Sequence, residues 1–309
     1  MSNFAITEIK GVIPAMFTTF DEQENVDLAR AKELVEFLIG QGVHGLYITG
    51  STGEGFLMTN EERKVFTKAV VEVVAGRIPV VVHVGDIGTR QAIDLAKHAE
   101  RVGADAVSSV PPFYYKFNPE DIYNYYKDIS EAVSIPMIIY NISLAGLMSN
   151  SLVKRIAGLP NVKGLKFTGR EHDDMCALKQ DLGQDFMVYS GCDEMATQGL
   201  LAGADGLIGS FYNILPDTIL AIYQHTRKGE YVEAFEIQKV ATRFIQFVVQ
   251  WDFFPILKQL LREAGVDAGY SRRPFATPSQ ATMDTVHAYC REMKHKHGAN
   301  VPLGFLSRT

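Results

Sequence analysis

Very little in this 309-residue chain suits a disulfide framework, a membrane span or a nucleic-acid surface. Its three cysteines, Cys176, Cys192 and Cys290, are odd in number, far apart and in no metal-ligand spacing. They read as reduced thiols. No apolar run reaches the ~20 residues that span a bilayer, and the first residues lack the basic-then-apolar pattern of a secretory leader. The expectation is a cytoplasmic protein without membrane contact. Lys and Arg are scattered and the net charge is −6, so the clustered cationic face that phosphate backbones demand is missing. The densest basic run, Lys294-His295-Lys296-His297, reads as a helix end, where cations complement the helix dipole. No Gly-x-Gly-x-x-Gly follows the first strand pattern, which counts against a dinucleotide fold.

What the chain does have is bulk for one large core. Hydrophobic residues make up 47% and charged residues 21%, and a (β/α)8 barrel takes ~250 residues. Short apolar runs near Gly11–Thr18, Gly45–Thr49, Val80–Val84, Ala106–Val110, Met137–Tyr140, Val162–Phe167, Phe186–Ser190 and Gly206–Ser210 predict eight strands. Continuous β-branched stretches such as Val80-Val81-Val82 suit strands buried on both faces. Helical periods lie between them, as at Asp27–Ile39, Glu61–Val74 and Arg90–Val102. Asn60 and Thr89 are candidate N-caps for two of these; Arg63 three residues after Asn60 argues against a capping box.

Three similar joints, Gly42-Val-His-Gly-Leu46, Gly103-Ala-Asp-Ala-Val107 and Gly203-Ala-Asp-Gly-Leu207, place a glycine cap before a strand. Equivalent joints imply equivalent units, which favours a closed barrel over a doubly wound sheet. After about Lys228 only helical patterns remain, at Glu230–Trp251, Pro255–Ala264 and Pro278–His295, with a turn-rich loop at Asp267–Pro274. The expected organisation is a barrel over 1–228 and a C-terminal helical appendage over 229–309.

In such a barrel, reactive groups collect at the C-terminal ends of strands. Those ends supply one lysine, several tyrosines and hydroxyls, and little that would bind a metal. Lys166 follows Val162-Lys163-Gly164-Leu165. Strand alternation sets it opposite Leu165 and above Gly164, with room to rise into the barrel mouth. Burial favours the neutral form of an amine. A neutral amine attacks a ketone, and the resulting imine is an electron sink for breaking a nearby carbon–carbon bond. Tyr140, ending the preceding strand, is a candidate proton shuttle; it reads equally as a barrel-rim aromatic. Tyr114-Tyr115 carries the same ambiguity and could serve an oligomer contact. Gly50-Ser51-Thr52-Gly53-Glu54 is a glycine-flanked turn whose donors suit a carboxylate or phosphate, or simply a strand-to-helix turn. Glu171-His172-Asp173-Asp174 invites a metal site, but contiguous acids opening a helix are better explained by the dipole. His83, inside an apolar strand, reads as a core histidine.

Several of these pieces occur together and in order: Gly50-Ser-Thr-Gly-Glu54, Tyr140-Asn141, Gly164-Leu-Lys166, Gly191-Cys-Asp-Glu194 and Gly203-Ala-Asp-Gly-Leu-Ile-Gly-Ser210. From about Gly11 to Pro274 the chain resembles the family of N-acetylneuraminate lyase and dihydrodipicolinate synthase. The resemblance implies that Lys166 forms a Schiff base and Tyr140 relays protons. It further implies that Ser51 and Thr52 hold a pyruvoyl carboxylate and that Tyr114 reaches a neighbouring subunit's site in a homotetramer. No metal or dissociable cofactor is implied, and the partner is a small 2-oxo acid.

The synthase branch of the family is expected to carry an arginine where this chain has Ala145. Gly191, Asp193 and Glu194, with Thr168, Ser210 and Phe254, resemble the sugar-binding positions of the lyase branch. Ser143, Phe211 and the Gly169-Arg170-Glu171 stretch depart from the family pattern. The reading is reversible cleavage of N-acetylneuraminate. Other pyruvate-dependent aldolases or dehydratases, a 2-oxo acid sensor and a metal-dependent aldolase are the alternatives.

Overall fold

The computed structural model describes residues 3–304. Eight parallel strands form one sheet: β1 Gly11–Pro14, β2 Leu46–Ile48, β3 Val80–His83, β4 Ala106–Ser109, β5 Met137–Ile142, β6 Val162–Thr168, β7 Met187–Ser190 and β8 Gly206–Gly209. Their order is β1-β8-β7-β6-β5-β4-β3-β2. The ring closes where Ala15 bridges Tyr47 and Met16 N–H donates to the Tyr47 carbonyl at 2.8 Å. This is a TIM barrel. Eight helices follow the strands in turn: α1 Leu28–Gly40, α2 Asn60–Val74, α3 Thr89–Val102, α4 Pro119–Glu131, α5 Asn150–Ala157, α6 His172–Leu182, α7 Ala196–Leu201 and α8 Pro216–Lys228. Then come α9 Tyr231–Val248, α10 Phe253–Glu263 and α11 Gln280–His297. Among the described residues no helix is long and apolar enough to cross a membrane.

Two cores result from the period of two along each strand. Ile13, Val81, Ile138, Tyr140, Met187 and Tyr189 fill the barrel interior. Val12, Val82, Ile139, Leu165 and Val188 face outward under the helices. Both strand faces are therefore apolar, as parallel sheets require.

The edges differ from the expected ones for local reasons. The first strand ends at Pro14, not Thr18: Phe17 N–H turns to the Asn213 side chain and Thr18 Oγ1 to the Gly53 carbonyl, which takes the chain out of the sheet. The cap of α2 is Thr59, not Asn60. That shift of one residue puts Glu62 at the third helical position, where it closes a capping box with Thr59. Gly88 precedes α3, and Thr89 is its first helical residue. Gly42, Gly103 and Gly203 all have positive φ, as the three similar joints predict. Glu171 precedes α6, Asp173 and Asp174 lie in its first turn, and no metal-binding cluster occurs among the described residues.

α10 and the segment after it are tied to the end of the barrel at which the strands finish. Lys258 of α10 is buried and donates to Glu54 at 2.6 Å and to the Thr18 and Tyr270 carbonyls at 2.7 Å each. The other Glu54 oxygen takes the Arg272 N–H at 2.8 Å. Glu54 thus anchors the turn after β2 to the C-terminal segment.

Candidate active site

Lys166 sits in register with Tyr140 on one side and Tyr189 on the other. Its side chain enters the barrel, opposite Leu165, as alternation requires. A Cβ on Gly164 would meet the Met187 carbonyl oxygen at 3.0 Å and then Ile138 and Tyr189, not Lys166, so the glycine makes room for the floor beneath the lysine. Lys166 Nζ lies 4.0 Å from the Tyr140 ring centre and 4.4 Å from that of Tyr47.

Three lysines are buried among the described residues: Lys166, Lys179 and Lys258. Lys179 donates to Asp205 and two carbonyls, and Lys258 to Glu54 and two carbonyls. Each of these has used all three donors. Lys166, by contrast, has two aromatic faces for neighbours and no acid within salt-bridge range. No ion pair must break for its nitrogen to react.

Above Lys166 opens a cavity of 440 Å³. Ser51, Thr52, Tyr140, Thr168, Gly191, Ser210 and Phe254 line it together with Lys166, so eight of the expected site residues converge. Ser51 and Thr52 lie in the turn after β2, which begins at Thr49 with φ 57°. Positive φ is unfavourable for a β-branched residue. The Thr49 hydroxyl holds this conformation by reaching the His83 carbonyl at 2.8 Å. A Cβ on Gly55 would fall 2.1 Å from the Thr49 carbonyl oxygen, so the turn closes only on glycine there. Thr52 Oγ1 and Ser210 Oγ are 2.7 Å apart, linking this turn to the end of β8. Gly191 is equally constrained: a Cβ would lie 1.9 Å from Thr168 Oγ1 and 3.3 Å from Lys166 Cε.

Other expected residues stand elsewhere. Asp193 lies behind the cavity wall, buried, with Oδ2 accepting the Phe211 N–H at 2.9 Å. Its Oδ1 abuts Gly209, where a Cβ would be only 1.9 Å away. Burial, reinforced by the charge of Glu194, pushes its carboxyl up to about 7. Glu194 is half-buried and its carbonyl accepts from Thr242 Oγ1; neither acid lines the cavity. Tyr114 is 84% exposed, with φ 79°, and its ring packs edge-on to Tyr115 rather than in this chain's cavity.

His83 is a core residue as expected: burial, then the Arg63 and Lys166 charges, holds its imidazole well below the usual histidine range. Sequence reasoning missed Leu144 and the rim residues Val249, Trp251, Asp252 and Phe253. The signal available for the rim was the only tryptophan, at a break between two helical patterns. The break placed it outside any strand end, where no reactive group was sought.

The arrangement is suited to holding a small carbonyl compound on an amine at the base of a narrow, partly aromatic mouth. Residues 8–293 match the dihydrodipicolinate synthetase family. An N-acetylneuraminate lyase of Salmonella paratyphi B is 35% identical over 289 residues, 92% of this chain and 97% of that one. One of Rhizobium meliloti is 33% identical over 278 residues, 89% and 92% of the two chains. A solved structure described as a catalytic lysine mutant of the Ruminococcus gnavus sialic acid aldolase superposes with a TM-score of 0.91. It is 28% identical, over 97% of this chain and 100% of that one.

Proposed function

The chain belongs to the dihydrodipicolinate synthetase family, and we propose that it is a carbon–carbon lyase that cleaves N-acetylneuraminate reversibly to pyruvate and N-acetylmannosamine. The observation that carries this reading is a buried lysine free of ion pairs at the base of a cavity, beside a tyrosine.

The amine of Lys166 adds to the C2 ketone of the open-chain sugar, and Tyr140 protonates the departing hydroxyl, so that loss of water gives a protonated imine and leaves the tyrosine as its phenolate. Tyr140 takes the proton of the C4 hydroxyl while the C3–C4 bond breaks. The bond's electrons pass into the imine and leave an enamine of pyruvate, and N-acetylmannosamine departs as the aldehyde. Protonation at C3 and hydrolysis release pyruvate and restore the amine. The imine supplies the electron withdrawal, so this route calls for no dissociable cofactor.

Ser51 and Thr52 receive the carboxylate of the 2-oxo acid. Neither Ser51 N–H nor Thr52 N–H is spent on the turn's own bonds, which run from Glu54 N–H to the Ser51 carbonyl and from Gly55 N–H to the Gly50 carbonyl. Thr168, Gly191, Ser210 and Phe254 bound the sugar, the buried Asp193 supports that wall from behind, and Glu194 binds the polyol tail. The exposed Tyr114 completes the site of a neighbouring copy in a homotetramer. Three unpaired thiols fit a cytoplasmic protein.

Synthase activity on an aldehyde acid is disfavoured by the segment after β5. Ser143–Ala145 forms a single 3-10 turn with Ala145, which carries no charge, at the position where the synthase branch would hold its cationic clamp. The direct test is pyruvate release from N-acetylneuraminate in a coupled assay, compared with condensation of pyruvate and aspartate semialdehyde. Release from the sugar is expected; activity confined to the semialdehyde would overturn the reading.

A further inference from the structure

The cavity that holds Lys166 is lined by two charged side chains of opposite sign and different depth. Lys166 is buried at its base, and Asp252 is exposed at its rim. Asp252 occupies the N-cap position of α10, yet its side chain makes no cap bond. Asp27, Thr59, Asn118, Ser149 and Ser279 at the same position of other helices all cap through theirs. Its carboxylate forms no ion pair among the described residues, so all its acceptor capacity is open to a ligand.

The backbone that presents this carboxylate is clamped on both sides. Trp251 packs edge-on to Phe247 at 5.3 Å. Phe253 stacks on Phe211 at 5.4 Å and 13°, and Phe254 meets Phe17 at 6.3 Å and Phe275 at 5.6 Å. Phe211, a departure from the family pattern, therefore supports the rim. Rigid support is what makes a polar group selective instead of merely present.

We propose that Asp252 is a specificity residue that selects a neutral polyhydroxy aldehyde and rejects an anionic one. The inference rests on the lyase reading and deepens it by assigning the substrate class at the outer end of the same site. A carboxylate accepts hydrogen bonds from the hydroxyls of a sugar tail, and the neighbouring Trp251 and Phe254 offer apolar surface to its C–H faces. A phosphate or carboxylate on the tail meets like charge at the rim, and Lys166, the only cation lining the cavity among the described residues, is committed to the imine.

The test is condensation of pyruvate with N-acetylmannosamine or with N-acetylmannosamine 6-phosphate, using the full chain and its Asp252→Asn and Asp252→Arg variants. The wild type is expected to favour the neutral sugar. Asp252→Asn should raise the KM for N-acetylmannosamine about 10-fold, the size expected for loss of a charge-assisted hydrogen bond. Asp252→Arg should move the kcat/KM ratio toward the phosphorylated sugar by about 10-fold or more. Borohydride trapping of pyruvate on the same preparations reports Lys166 separately. A ratio within twofold of wild type in both variants, with pyruvate trapped in all three, overturns the role of Asp252 and leaves the lyase reading standing. Failure of the wild type to trap pyruvate overturns both.

Discussion

Lys166 and Tyr140 are direct register partners on β6 and β5, and the lysine nitrogen lies 4.0 Å from the centre of the tyrosine ring. That pairing is fixed by the sheet and not by a loop, so the two groups keep their relation through turnover. In the proposed mechanism the tyrosine serves the substrate's C4 hydroxyl while the lysine holds C2. Tyr140→Phe preserves the ring and removes the hydroxyl. It should lower kcat by about 10²–10⁴ while pyruvate still forms its adduct, read by steady-state kinetics beside borohydride trapping. Near-normal turnover in the variant would remove the tyrosine from proton transfer.

The Glu54–Lys258 pair joins the turn at Gly50–Glu54 to α10. Both groups are buried, and burial lowers the lysine's affinity for its proton against the pull of Glu54. Lys258→Met leaves a buried carboxylate without its partner, which costs about 3–5 kcal/mol. Urea denaturation should show that loss, and the KM for pyruvate should rise as the Ser51–Thr52 turn loosens. The double variant Glu54→Gln/Lys258→Met should recover part of the stability. A single variant as stable as wild type would show that the pair does not hold the turn.

Asp193 gives stability a definite pH dependence. Its carboxyl is raised from the ordinary aspartate value to about 7, mainly by burial. The folded state therefore binds a proton that the unfolded chain has already released between about pH 4 and 7. Stability from this group is complete at the acid end and is lost as pH rises through 7. Asp193→Asn should flatten that fall and make the protein more stable than wild type at pH 8, by up to about 4 kcal/mol at ~1.4 kcal/mol per pKa unit. Thermal unfolding of both proteins from pH 5 to 8 measures it. Parallel curves would mean that Asp193 does not titrate in this range.

Much of this was legible in the sequence, for reasons particular to each residue. Alternation along Val162–Thr168 placed Lys166 inside the barrel because both faces of a parallel strand are buried and only a strong reason puts a lysine there. The turn at Gly50–Glu54 was visible from its glycines, but Glu54 was not legible as the partner of Lys258, which lies 204 residues away. The motif marks Asp193 as a sugar ligand. Strand register alone could not say that Phe211 N–H would draw the Asp193 carboxylate behind Gly209. The rim is not legible because Trp251 and Asp252 join α9 to α10, and the single tryptophan there does not by itself say that the join faces a cavity. By residue type Asn60 is at least as good a cap as Thr59, and only the Glu62 spacing decides for Thr59.

The imine at Lys166 is reached most directly by reductive trapping. The protein is treated with borohydride in the presence and absence of pyruvate, digested, and its peptides mapped by mass. A reduced pyruvyl adduct is expected on the peptide containing Lys166, dependent on pyruvate and abolished in Lys166→Ala. Lys179 and Lys258, whose donors are all engaged, should remain unmodified. No adduct, or an adduct that persists in Lys166→Ala, would contradict the imine at Lys166.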